Sequence, residues 1–449
     1  MDDLLAARSQ MAMSLAFHII FAVAGIATPL MMCIAEWRWL RTRDETYLTL
    51  AKRWAKGTAI LFAVGAVSGT ALSFELGLLW PEFMRWAGAI IGMPFSLEGF
   101  AFFTEAIFLG IYLYGWDRVA PRAHLAAGAI VALSGAASAI FVVIANAWMN
   151  TPAGFRLVAG KPVDTDPIAA MMNPSALGQT IHMLLAAYAA VGFAVAGIHA
   201  FLLLRDRRNM FHRHAMAIAL AVGGVGAILQ PLSGDLLGRM LARYQPVKLA
   251  AMEGQFKTEQ GAPLRVGGIP DEETGTTPYA IEIPYGLSLL ATHDPNAVVK
   301  GLEDFPRDLW PPARIVHIAF QAMVAAGAGV ALVAIWGAYL AWRRKSLPDS
   351  RRFLQAVVAA SPLGFIAIEA GWTVTEVGRQ PWIIQGVMRT AQAVTPMTGL
   401  KFTFLTFTLI YLFLAAVVVW LLIRQVAESP RVYAEPAPTD DGDRKYAFN

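Results

Sequence analysis

The sequence predicts an all-α polytopic membrane protein of about nine transmembrane helices, with the N-terminus outside and the C-terminus cytoplasmic. Three observations carry this expectation. Of the 449 residues, 57% are hydrophobic and only 15% charged, too little polar material to cover a soluble protein of this length. The apolar residues come in blocks, each long enough to match roughly 30 Å of hydrocarbon at about 1.5 Å per residue. Lys and Arg gather in alternate connections between the blocks, as they do on a cytoplasmic face.

The first block, Met11 to Trp37, follows an acidic start, MDDLLAARSQ, and is too long for the core of a signal peptide, so it is expected to stay as the first helix. Five more follow at Ala55 to Trp80, Phe95 to Trp116, Ala123 to Trp148, Leu177 to Leu204 and Ala215 to Leu236. Gly238 to Arg314 carries Gly, Pro and charge throughout and reads as a long external loop. Ile315 to Trp342, Phe353 to Val377 and Phe402 to Ile423 complete the set. Basic clusters such as Arg38, Arg41 and Arg43 after the first span, and Arg343, Arg344 and Lys345 after the seventh, set the orientation. The expected organisation is 1–237 as helices 1–6, 238–314 as the extracytoplasmic loop, 315–426 as helices 7–9 and 427–449 as a cytoplasmic tail. The net charge of +4 lies beside the membrane blocks and reports topology, which excludes a nucleic-acid partner. The single cysteine, Cys33, excludes an internal disulfide, a cysteine-based zinc site and c-type haem attachment, so any metal must use His, Met or carboxylate.

With the topology set, several ionisable residues fall in the outer half of the membrane: His18, Glu98, Glu105, His182 and Glu376. At that depth such groups cost several kcal/mol unless paired, solvated or metal-bound, and their agreement points to one common site. Glu98 and Glu105, seven residues apart, project from one helix face about 10 Å apart along the axis, so one could bind a metal while the other relays protons. His18 and His182 suit iron ligation as neutral imidazoles. Trp372, Glu376 and Arg379 stack on one face at the end of the eighth span, where a carboxylate opposes the helix dipole and needs a cation, either Arg379 or a metal. Met323, by itself, is ordinary packing. His124, His199, His212, His214, His293 and His317 are expected near the interfaces and solvated. Two classes remain open here: a redox enzyme, and a haem-free proton-coupled membrane transporter using Glu98, Glu105 and Glu376, the latter weakened by the lack of an internal repeat.

The stretches ARSQMAMSLAFH (Ala7 to His18), SLEGFAFFTE (Ser96 to Glu105), GWDR (Gly115 to Arg118), IANAWMN (Ile144 to Asn150), KLAAMEGQF (Lys248 to Phe256), IPYGLSLLAT (Ile283 to Thr292), AFQAMVAAG (Ala319 to Gly327) and EAGWTVTEVGRQPW (Glu369 to Trp382) run in order along the chain. Together they resemble subunit I of the cytochrome bd-type quinol oxidases, in the short-loop, cyanide-insensitive-like branch.

The resemblance implies a quinol:dioxygen oxidoreductase subunit of the bacterial cytoplasmic (inner) membrane that carries a low-spin haem b, a high-spin haem b and a haem d or third haem b. It implies His182 and Met323 as the axial pair of the low-spin haem, a ligation that raises the reduction potential. Glu376 would bind one of the other haems and His18, with Glu98 nearby, the other. Arg379 would neighbour carboxylate or propionate charge, and Trp372 would serve packing or electron passage. Glu105 and Ser138 would bring cytoplasmic protons to the oxygen site, while Lys248 and Glu253 would act in quinol oxidation at the outer face. The implied partners are a bd-type subunit II, small single-helix subunits, membrane quinol and dioxygen. One departure is Gln321, two residues before Met323, where some relatives are expected to carry arginine.

Overall fold

The computed structural model describes residues 2–433; the remainder of the expected cytoplasmic tail, 434–449, lies outside the described residues. In chain order the helices are α1 (Asp3–Thr42), α2 (Glu45–Leu79), α3 (Pro81–Tyr114), α4 (Pro121–Asn150), α5 (Pro167–Met171), α6 (Ala176–Arg205), α7 (Met210–Tyr244), α8 (Pro246–Glu253), α9 (Gly286–Thr292), α10 (Ala313–Arg344), α11 (Arg351–Ala360), α12 (Leu363–Val377), α13 (Thr390–Ala393) and α14 (Leu400–Ala427). Nine helical spans among the described residues are long and apolar enough to cross a membrane, with α11 and α12 together making one. The expected number of spans is therefore borne out.

Helix starts are where capping chemistry puts them. The Asp2 carboxylate accepts from Leu5 N–H at 2.7 Å, and Asp44 and Asn209 cap α2 and α7 in the same way. Pro81 and Pro121 occupy the first turn of α3 and α4, where a missing N–H costs nothing. The spanning windows of α1 and α6 are each 61% buried against 11% for α2 and α14, so the first two are central and the latter two peripheral. Close approach needs small residues: a Cβ on Gly192 of α6 would come within 2.4 Å of Gly223 Cα on α7.

Several boundaries differ from expectation: α2 begins at Glu45 rather than Ala55 and α3 at Pro81 rather than Phe95. The eighth span is not one helix but two, α11 and α12, broken at Ser361 and Pro362. Pro362 has no N–H to continue the ladder, and Ser361 turns its Cβ to within 2.3 Å of where a Cβ on Gly197 would stand. The sixth spanning helix also continues past the expected start of the loop, to Tyr244.

The polar connections between the spans are structured by short antiparallel pairs. Strands β1 (Arg156–Val158) and β2 (Lys161–Val163) form a hairpin between α4 and α5. Within the long loop, β3 (Glu259–Gln260) pairs with β6 (Val298–Val299), and β4 (Leu264–Gly267) with β5 (Ala280–Ile283). After α12, β7 (Trp382–Ile384) pairs with β8 (Met388–Arg389). Leu249, Met252, Phe256, Leu287 and Leu302 close a small core under the loop, against Val316 of α10 and Val374 of α12. The loop is thereby seated on the helices that carry Met323 and Glu376.

Candidate functional site

A cavity of about 830 Å³ opens among α1, α2, α3, α4 and α12, and its walls carry most of the expected site residues. His18 enters from α1, Glu98 and Glu105 from α3, Ser138 from α4, Trp372 and Glu376 from α12, and Arg379 from just beyond it. His182 and Met323 do not line this cavity.

His18 and His182 are held alike. Ser68 Oγ donates to Val64 C=O at 2.9 Å, so at 3.0 Å from His18 Nδ1 it accepts, and the imidazole presents Nε2 as its free lone pair. Ser233 Oγ likewise donates to Gln230 C=O at 2.8 Å and receives His182 Nδ1–H at 2.9 Å. His182 Nε2 is again the acceptor, 3.1 Å from the Gln230 side-chain nitrogen. A hydroxyl that fixes the tautomer behind a ring is the arrangement of a histidine ligand. Glycines give these side chains room: a Cβ on Gly69 would lie 2.9 Å from His18 Cε1, and one on Gly371 would lie 3.0 Å from Met323 Sδ.

At the end of α12, Glu376 accepts from Asn146 Nδ2 at 2.6 Å on one oxygen and from Arg379 on the other. The cation expected at this helix terminus is therefore present. Arg379 is only 3% exposed, and its Nε and Nη1 have no hydrogen-bond partner, so the guanidinium keeps donors beyond those the carboxylate uses. Ser138 Oγ reaches Glu98 Oε1 at 3.4 Å, while Glu105 is buried with Oε1 unpartnered, 3.1 Å from where a Cβ on Gly135 would stand.

Lys248 and Glu253 share α8 but face different neighbours. Lys248 Nζ donates to Thr375 C=O at 2.9 Å and to Asn150 Oδ1 at 3.2 Å, which ties the loop to α12 one residue before Glu376. Burial, aided by the nearby Arg379 charge, lowers Lys248 to about 7. Glu253 is buried with Oε2 unpartnered, and burial raises it to about 8 against the opposing pull of Arg265.

Most of the histidines expected to be solvated are not. His124 is buried between Glu36 Oε1 and Tyr112 C=O, each at 2.9 Å, and His199 meets His212 with their Nδ1 atoms 2.9 Å apart. His317 is wholly buried, and His214 stacks on Tyr47 with centroids 4.3 Å apart. Only His293 is exposed as expected. Partners from distant parts of the chain take up the rings of His124, His199, His212 and His317, while His214 Nδ1 is buried without a hydrogen-bond partner. Sequence reasoning also missed Ser68 and Ser233, and gave Asn146 and Asn150 no role although both lie in the stretch IANAWMN; the roles of all four depend on what lies opposite them.

The sequence signature described as Cytochrome bd terminal oxidase subunit I matches residues 6–430. The chain belongs to that family. It is 41% identical over 438 residues to the putative cytochrome bd menaquinol oxidase subunit I of Bacillus subtilis, covering 96% of this chain and 98% of that protein. A cytochrome bd ubiquinol oxidase subunit 1 of the same organism is 33% identical, covering 98% of this chain and 97% of that protein. The bd oxidase structure from Geobacillus thermodenitrificans superposes with a TM-score of 0.89 at 42% identity, covering 96% of this chain and 99% of that one. This bd oxidase subunit is thus a multi-pass membrane oxidoreductase that uses haem, membrane quinol and dioxygen, and the haem-free transporter is set aside.

The side chains fit haem. Among the described residues no three His, Cys, Asp or Glu gather as a cage for a bare ion. Single axial donors with tautomers fixed from behind are what a macrocycle that supplies its own nitrogens requires. The unpaired donors of Arg379 suit a propionate, and a void this large beside His18 and Glu376 suits a flat ring.

Proposed function

We propose that this subunit oxidises quinol at the outer face, beside the 238–314 loop, and reduces dioxygen to water with protons drawn from the cytoplasm. The observation that carries the reading is the convergence of His18, Glu98, Glu105, Glu376 and Arg379 on one cavity. Groups so costly in a membrane share a site only when something there repays them. Haem, when bound, supplies the electron transfer and the oxygen chemistry.

Each residue has a role in this scheme. His182 and Met323 hold a low-spin haem b; His18, with Glu98 near it, and Glu376 hold the two remaining macrocycles, a high-spin haem b and a haem d or third haem b. Ser68 and Ser233 support the scheme by keeping each imidazole in the ligating tautomer. Arg379 balances the Glu376 carboxylate and offers its spare donors to a propionate, and Trp372 packs in the cavity wall between α12 and α1. Glu105, with Ser138 on the facing helix, holds a proton on its way to the oxygen site. Glu253 takes a quinol proton as the electron leaves, and Lys248 fastens α8 to the Glu376 end of α12. Proton release outside and uptake from inside separate charge without a dedicated pump. The N-terminus lies outside, the membrane is the bacterial cytoplasmic membrane, and the partners are a bd-type subunit II and small single-helix subunits. Peripheral α2, α3 and α14 leave broad apolar faces, such as Phe100 and Phe103 of α3, that a membrane partner would cover.

The test is quinol-dependent oxygen uptake by the purified complex, with haem counted per chain. The proposal expects three haems and uptake that requires quinol; a complex lacking haem, or one whose uptake ignores quinol, would defeat it.

A further inference from the structure

We propose that His317 and Gln321 are positioning residues for quinol oxidation: a polar clamp on the first turns of α10 that fastens the loop on both sides of Glu253. The inference rests on the assignment of Glu253 to quinol chemistry and adds the device that holds it in place.

His317 is 0% exposed, with Nδ1 2.7 Å from Met252 C=O and Nε2 2.9 Å from Gly267 C=O. Both partners are acceptors, so a ring nitrogen that carries hydrogen donates to the carbonyl it faces. Met252 C=O belongs to the last turn of α8, where carbonyls lack helical partners, and the ring supplies one. Gln321 stands one turn further along α10. Its Nε2 donates to Arg265 C=O at 3.0 Å and its Oε1 accepts from Gly267 N–H at 3.1 Å. One side-chain amide therefore pairs with β4 as a neighbouring strand would. Arginine has five donors and no acceptor, so it could not receive the Gly267 N–H. The glutamine at this position is thus suited to the loop rather than to a propionate.

The contacts bracket Glu253. His317 grips Met252 on one side, and on the other Thr277 Oγ1 donates to Gly254 C=O at 2.8 Å. Gly254 has φ 61°, and a Cβ there would lie 2.7 Å from Thr277 Oγ1 and 3.4 Å from His317 Nδ1, so the segment is closely walled. Gln321 also fixes the backbone of Arg265, whose side chain bonds Gln255 and whose charge acts on Glu253. Because α10 also carries Met323, the clamp sets the register between the loop and the helix of the low-spin ligand.

The test uses the purified complex with Gln321→Met, which keeps bulk and removes both amide contacts, and Thr277→Val, which removes one loop contact at nearly constant shape. Quinol KM and kcat, the haem spectrum, and oxygen uptake driven by an artificial reductant that bypasses quinol are measured together. Gln321→Met is expected to lower kcat/KM for quinol tenfold or more and Thr277→Val about threefold, with the spectrum and quinol-independent uptake unchanged. If both variants keep wild-type quinol kinetics, or if haem is lost in step with activity, the clamp is overturned. Glu253→Gln is run beside them: full quinol activity in that variant would defeat the assignment of Glu253 itself, whereas impaired Glu253→Gln with normal Gln321→Met would defeat the clamp alone.

Discussion

Glu253 is expected to give quinol oxidation a pH limb that its substitution removes. The carboxyl is buried, one oxygen has no partner, and burial raises it to about 8. A base must be ionised to accept a proton, so with a midpoint near 8 about one Glu253 in eleven is competent at pH 7 and about half at pH 8, a rise of about fivefold in kcat/KM over that unit. Folding has the opposite sign: the native state holds a proton that the unfolded chain has lost above its ordinary value of 4.5, so the contribution to stability is full below 4.5 and is lost as pH rises through about 8. Activity from this group therefore increases with pH while its contribution to stability falls. Initial rates of quinol-dependent oxygen uptake from pH 6 to 9, at constant ionic strength, measure the limb. Glu253→Gln should flatten it with all haems retained, and Arg265→Gln, which removes the opposing cation, should move it about one unit higher. A limb that survives Glu253→Gln unchanged would refute the reasoning.

Other expectations concern the cavity and the buried pairs. Gly371→Ala places a Cβ 3.0 Å from Met323 Sδ and should perturb the low-spin absorption band, read in the reduced-minus-oxidised spectrum, while Gly57→Ala on α2, whose Cβ meets nothing within 4 Å, serves as a glycine control that leaves the band in place. Arg379→Gln leaves the partly exposed Glu376 without its paired cation and should lower the content of one high-spin haem as determined by extraction and mass. His124→Leu removes the hydrogen-bond partner of the buried Glu36 and should destabilise the protein by about 1–3 kcal/mol, seen as a lower unfolding temperature in detergent, with quinol affinity unaltered.

The spans were legible because hydrocarbon demands length and apolarity of every crossing segment, and no tertiary detail changes that. The cavity residues were legible for the converse reason: His18, Glu105 and Glu376 are expensive where they lie. Helix breaks were less so. Pro362 breaks its span, yet Pro29, Pro94 and Pro231 sit inside continuous helices, so proline alone does not decide. The buried histidines were misread because solvation and pairing look alike in one dimension; Glu36 lies far from His124 in sequence and 2.9 Å away in space. The roles of Ser68, Ser233 and Asn146 were hidden for the same reason, each a common residue whose meaning is its partner. Gln321 was noticed only as a departure, and the strand it pairs with explains it.

The central claim is that His18, His182, Met323 and Glu376 grip iron from separate helices. An experimental density map of the purified, haem-loaded complex tests it most directly. The account predicts macrocycles with His18 and Glu376 as axial donors on two of them, and His182 and Met323 on opposite faces of a third. Macrocycles ligated by other residues, with these four side chains packed only against protein or lipid, would contradict it.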